Sequence, residues 1–178
     1  MPDATDLRTA RPSDARRLCI FRRALHAQSC HLNALPHEID ARWLATRRIL
    51  AAAQRSERSL FLIALVDGKV AAELQLRGNA YHRTAHDKRL ALGVLKAYRG
   101  RGIGSALLEQ AITWAKTQSE TRRITLGVHS TNVAALALYT RAGFVEEGRR
   151  RGAIAPLRPQ EPYRDEVMMA YSLEPKSE

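Results

Sequence analysis

The chain of 178 residues is poor in cysteine, aromatic side chains and carboxylates, and it contains no long apolar run. Its two cysteines, Cys19 and Cys30, lack a C-x-x-C spacing. They read as structural thiols in a reducing compartment, so a cytoplasmic location follows by default. No apolar stretch approaches the ~18 residues that span a bilayer, and no membrane partner is expected. The N-terminus, Met-Pro-Asp-Ala-Thr-Asp-Leu, lacks the basic-then-apolar order of a signal peptide. Aromatic residues make up 6% of the chain and are not interleaved with basic ones. A nucleic-acid role therefore rests on charge alone and is ranked last. Carboxylates number 18 against 29 lysines and arginines, for a net charge of +11. Residues 1–89 carry 16 basic and 9 acidic side chains, and residues 90–178 carry 13 and 9, so the excess is spread out. Such a field draws anionic ligands.

What remains has an ordinary globular balance, with 45% hydrophobic and 26% charged residues. The length fits one domain over 1–178 with a core of about 5–173. Leu7 to Pro12 reads as a first strand. A helix follows through about Ala27, and a second is expected from Pro36 to about Gln54. Leu60 to Val66 is a buried strand, and Asp67-Gly68 is a two-residue hairpin signal leading to the partner strand from Lys69. Asn79 to Asp87 is a polar loop. Its His82 and His86 lack both a helix to align them and further ligands, so no metal site is expected. Lys88 to Leu95 is the central strand. Gly93 sits in its interior, where a bulge is the usual reason. A long helix to about Ser119, a strand from Arg123 to His129, a helix capped by Ser130 or Thr131 and ending at Gly143, and strands at 144–150 and 163–173 complete the order. Three prolines place a loop at 151–162.

The stretch Val94-Leu-Lys-Ala-Tyr-Arg-Gly-Arg-Gly-Ile-Gly104 joins the central strand to the long helix. A strand that turns through Gly100, Gly102 and Gly104 into a helix exposes unpaired N–H groups at the positive end of the helix dipole. Glycine allows a ligand close approach, and Arg99 and Arg101 add charge, which makes a phosphate site. The spacing G-x-G-x-G fits neither a dinucleotide fingerprint nor a P-loop. A glycine-rich turn with solvated arginines is the alternative reading.

A second motif follows: Asn132, Ala135, Leu138, Tyr139, Arg141, Gly143 and Phe144, in the pattern N-x-x-A-x-x-L-Y-x-R-x-G-F. With Arg99-x-x-Gly102-x-Gly104 upstream, the stretch from about Leu60 to Met169 closely resembles the GCN5-related N-acetyltransferase (GNAT) superfamily. The resemblance implies an α/β (α+β) acyl-CoA N-acyltransferase fold, a central mixed sheet of about seven strands flanked by about four helices. It implies acetyl-CoA as acyl donor, no metal, and direct acetyl transfer to a primary amine. The acceptor is read as a small molecule such as an amino acid. A protein N-terminal or lysine acetyltransferase acting on a peptide amine is the alternative, as is a non-catalytic acyl-CoA-binding module. Homodimers are common in the family.

Carried onto this chain, the resemblance places the donor against Val94, Leu95 and Lys96 as main-chain partners of the pantetheine arm. Arg99, Gly100, Arg101, Gly102, Ile103, Gly104 and Ser105 fall at the pyrophosphate. Asn132 is read on the arm or as a helix cap. Tyr139 takes the position of the acid that protonates the leaving thiolate, with a core tyrosine as the alternative. Glu73 is read as the base, or as a solvated strand residue; His129 is a second candidate. Glu146, Glu147, Asp165, Glu166 and Tyr163 are candidates for acceptor contact. The family's two central strands splay apart, and Gly93 marks where that splay is expected.

Overall fold

The computed structural model describes residues 5–39 and 42–173. Seven strands form one sheet: β1 (Thr5–Thr9), β2 (Ser59–Val66), β3 (Lys69–Gly78), β4 (Asp87–Val94), β5 (Arg123–His129), β6 (Val145–Ile154) and β7 (Arg164–Ser172). Their order is β1-β2-β3-β4-β5-β7-β6. Four helices flank them: α1 (Ala15–Gln28), α2 (Trp43–Ala53), α3 (Ile103–Thr117) and α4 (Val133–Arg141). The fold class is the one the resemblance implies.

Local chemistry explains the pairing. Asp67 and Gly68 both take positive φ, +49° and +71°, as the tight turn of the β2–β3 hairpin requires. The chain leaving β4 instead crosses over through α3, so β5 returns parallel to β4. The other strand pairs are antiparallel.

Strand alternation divides the core. Leu60, Leu62, Ala64 and Val66 of β2 meet Leu107, Leu108 and Ala111 of α3 on one face. Phe61, Ile63 and Leu65 meet Leu18, Phe21 and Leu25 of α1 on the other. A strand buried on both faces has to be apolar throughout, hence the unbroken run from Leu60 to Val66.

The functional geometry begins where β4 and β5 part. They pair only at Asp87–Arg123, Lys88–Ile124 and Arg89–Thr125. From Leu90 onward β4 stays with β3 as far as Val94–Ala72, while β5 follows β7 as far as His129–Glu166. A V-shaped gap results in mid-sheet. The splay therefore starts at Leu90, earlier than Gly93. Gly93 holds no bulge either, because the β3–β4 register runs unbroken through Glu73–Gly93. A Cβ on Gly93 would lie 2.4 Å from Leu25 Cδ2, so glycine lets α1 press directly onto the strand.

Two boundaries differ from the sequence reading. The helix expected from Pro36 is a single 3-10 turn, Pro36–Glu38; Ile39 and Arg42 are extended, and α2 starts at Trp43. The Glu38 carboxylate accepts the Leu35 N–H at 2.7 Å, which closes that turn on itself. Residues 40 and 41 of the expected helix lie outside the described residues. Strand β6 runs to Ile154, into the expected loop. Gly152, at φ +58°, donates its N–H to Asp165 Oδ1 at 2.9 Å, an irregular pairing that the prolines beyond it concealed.

Candidate active site

The glycine-rich loop is built by conformation first. Gly100 and Gly102 sit at φ +75° and +77°, where an L side chain costs about 1–2 kcal/mol. Gly102 is the N-cap of α3, and its carbonyl accepts the Ala106 N–H at 3.0 Å. The N–H groups of Ile103, Gly104 and Ser105 then have no acceptor within the helix. All three residues line a cavity of about 800 Å³. The arginines brace the loop. Arg99 Nε donates to the Val94 carbonyl at 3.0 Å, and the Arg101 guanidinium lies 5.5 Å from the Tyr98 ring centroid.

Of the three expected main-chain partners, the structure turns one toward the gap. The Leu95 N–H donates to Ala71 O at 3.0 Å, and the Lys96 N–H to Gln28 Oε1 at 3.1 Å. N–H groups alternate sides along a strand, so that of Val94 points into the space between β4 and β5. Val94 lines the cavity; Leu95 and Lys96 do not.

Helix α4 supplies the opposite wall. Asn132 is its N-cap in place of Ser130 or Thr131: Asn132 Oδ1 accepts the Ala135 N–H at 3.3 Å. The amide's two donors remain for the cavity that Asn132 lines. Tyr139 lines the same cavity, its ring tilted against Phe144 with centroids 5.7 Å apart. Burial pushes its phenol well above the ordinary value, so it stays protonated at every working pH.

Glu73 is engaged elsewhere. It lies buried on β3 beneath α1, where Arg22 donates to Oε2 from Nε at 2.9 Å and to Oε1 from a terminal nitrogen at 2.6 Å. Gln75 donates to Oε1 at 2.9 Å, and Glu73 is not among the cavity-lining residues. Replacing Glu73 by Gln leaves the Arg22 guanidinium, with 18% of its side chain exposed, without its counter-ion. The expected loss is about 3 kcal/mol of stability, read as a lower melting temperature. Lost turnover with unchanged melting would return Glu73 to the chemistry.

His31 and His129 also line the cavity. His129 is buried, and its Nε2 lies 2.8 Å from Asn33 Oδ1. An amide oxygen only accepts, so with the amide so oriented Nε2 carries the proton and Nδ1 keeps its lone pair. His31 stands edge-on to His129, with ring centroids 5.9 Å apart. Burial first, then the neighbouring His31, lowers the His129 pKa against the opposing pull of Glu166. Burial and then Arg99 lower that of His31. Both rings are neutral at pH 7 and able to accept a proton. Asn33 and His31 come from the loop after α1, which the sequence marked only as a loop.

Of the acidic candidates on the last strands, only Glu166 lines the cavity. Glu146 pairs with Arg149 and Glu147 with Arg123, while Asp165 holds the Gly152 N–H and Tyr163 is exposed. Among the described residues no cluster of three metal-ligating side chains occurs, and no helix is long and apolar enough to cross a membrane.

The model of the acetyltransferase (GNAT) family matches residues 24–144. N-alpha-acetyltransferase MAK3 of Arabidopsis thaliana is 36% identical over 90 residues, 51% of this chain and 47% of that protein. The chain thus spans about half the length of that relative. L-amino acid N-acetyltransferase AaaT of Escherichia coli (strain K12) is 29% identical over 132 residues, 71% of this chain and 76% of that protein. A GNAT-family acetyltransferase structure from Streptococcus pneumoniae superposes with a TM-score of 0.89 at 28% identity, covering 95% of this chain and 99% of that one. The structure of yncA from Salmonella typhimurium with its cofactor acetyl-CoA gives 0.83 at 16% identity over 98% and 97% of the two chains, a likeness of fold.

Proposed function

This chain belongs to the acetyltransferase (GNAT) family, and from that premise we propose that it moves the acetyl group of acetyl-CoA directly to the primary amine of a small molecule, an amino acid or a related amine. One observation carries the choice of a small acceptor. The Asn33–His129 hydrogen bond ties the loop after α1 to the end of β5, both of which line the cavity, and we read that tie as a roof over its acceptor end. A free amino acid fits beneath such a roof more readily than a folded protein surface. The E. coli L-amino acid N-acetyltransferase, matched over 71% of this chain, supports the same class.

Acetyl-CoA supplies the activated acetyl group as a substrate. The first-turn amides of α3 hold its pyrophosphate, and the Val94 N–H faces the thioester carbonyl. The acceptor arrives as an ammonium, with a pKa of about 8 for an α-amine. It gives its proton to Nδ1 of neutral His129, directly or through one water. The freed amine attacks the thioester carbon, and the Val94 N–H donates to the oxygen as it gains charge. The C–S bond breaks as the C–N bond is retained; the departing thiolate takes the Tyr139 phenol proton, and the second proton of the attacking nitrogen passes through water to the tyrosinate, which leaves a neutral amide and restores the phenol.

A protein N-terminus is the second reading, favoured by the 36% identity to an N-alpha-acetyltransferase. The test is thiol release from acetyl-CoA in the presence of L-amino acids, alkyl amines or N-terminal peptides. Turnover is expected with free amino acids. Turnover confined to peptides would select the second reading, and none with any amine would leave an acyl-CoA-binding module.

A further inference from the structure

We propose that Glu166 is the residue that binds the acceptor's ammonium, admitted to the site by a notch at Gly127, and that Arg89 faces it as the partner of an acceptor carboxylate. This inference rests on the acetyltransferase reading above and narrows its acceptor to the zwitterionic amino-acid class.

The sheet face decides which residues meet the acceptor. Ile124, Leu126 and Val128 of β5 point into the core with α3. Thr125, Gly127 and His129 therefore face the other way. Glu166 sits opposite His129 across the β5–β7 pair and shares that face. Arg89 joins it from β4, in register with Thr125.

Glu166 is 5% exposed, and its Oε2 accepts a hydrogen bond from Arg150 at 2.8 Å. Its Oε1 has no partner among the described residues. That oxygen occupies the place of a missing side chain, for a Cβ on Gly127 would lie 2.4 Å from Oε1 and 2.8 Å from the carboxyl carbon. Any larger residue at 127 would force the carboxylate from the place it holds. Glu166 is also the one carboxylate among the cavity-lining residues, which otherwise bring Arg89, Arg99, Arg141 and three histidines. A half-paired carboxylate is costly to desolvate and gains a partner when a cation enters.

Arg89 lines the cavity with no ion-pair partner among the described residues. Strand spacing puts its Cα roughly 8 Å from that of Gly127, one strand across and two residues along. An α-amino acid spans that interval once the arginine side chain reaches toward it. The cationic surroundings that repel a simple amine thus suit an amine that carries its own carboxylate.

The test is steady-state kinetics on L-amino acids and their methyl esters, with wild type, Glu166→Gln, Gly127→Ala, the double variant and Arg89→Leu. Glu166→Gln is expected to raise the amino-acid KM about 10- to 100-fold, with acetyl-CoA KM within about twofold. Gly127→Ala should reproduce that rise, and the double variant should add nothing further, because both remove the same carboxylate from the same place. Arg89→Leu should penalise free amino acids and spare the esters. An unchanged amino-acid KM in Glu166→Gln, or multiplying losses in the double variant, would overturn the assignment while wild-type turnover stands. Absence of wild-type turnover with every amine would overturn instead the reading on which it rests.

Discussion

Replacing Tyr139 by Phe is expected to lower kcat by about 10²- to 10³-fold and to leave acetyl-CoA affinity within about twofold. The ring of Tyr139 packs on Phe144, and Phe in its place keeps that contact. What disappears is one hydroxyl proton in the cavity. Burial holds the phenol above its ordinary pKa, with two opposite consequences. The donor form is present at all working pH, so kcat shows no basic limb near 10 from this residue. The phenol is also a weaker acid than the thiol of about pKa 8.5 that it must produce. Proton transfer is therefore uphill even to the fully formed thiolate, and the gain is modest for general-acid catalysis. Single-turnover measurement of thiol release reads the step directly. An unchanged rate would assign proton delivery to water and leave Tyr139 as a core ring.

Replacing Gly102 by Glu is expected to weaken acetyl-CoA binding by about 10²-fold or more while the protein stays folded. A Cβ at Gly102 meets nothing within 4 Å, so the change is not steric. Its backbone at φ +77° adds about 1–2 kcal/mol of strain. The larger effect is electrostatic. Two like charges 4 Å apart repel by about 4 kcal/mol at an effective dielectric of about 20, and the N-terminal end of α3 then offers a carboxylate where the phosphates need N–H groups. Gly102→Ala separates the two causes, since it carries the strain and no charge. Calorimetric titration with acetyl-CoA and with CoA checks both variants. Affinity within threefold of wild type in Gly102→Glu would place the pyrophosphate elsewhere.

The two variants probe the parts of the site most legible in the sequence. The glycine loop and the segment from Asn132 to Phe144 are each contiguous, and each is written in residues whose local geometry is forced: positive φ at Gly100 and Gly102, a helix cap at Asn132. Pairings between distant residues were hidden. Nothing at Glu73 announces Arg22, which is 51 positions away, and without Arg22 the carboxylate reads as a free base. The Asn33–His129 bond joins residues 96 positions apart, so the roof over the acceptor was invisible. Nothing in the sequence sets Gly127 apart within β5; only Glu166, arriving from β7, does so. Gly93 misled in the same way, because a bulge and a close-packed helix ask for the same residue and only Leu25 distinguishes them.

The three-residue contact between β4 and β5 has a further consequence. An edge strand invites another strand, and proteins normally keep such edges at the rim of the sheet. Here two edges face each other at the centre. Their inward amides are held back from solvent by little except the width of the gap, so they should exchange hydrogen as rim amides do. The pantetheine arm carries amides of its own. Lodged between the two edges, it would act as a short eighth strand, and beyond the three β4–β5 pairs the sheet would be bridged only while the enzyme is loaded. Donor binding would then be the last step of folding the sheet. The unloaded protein would be two half-sheets joined by a seam, β1 through β4 on one side and β5 through β7 on the other.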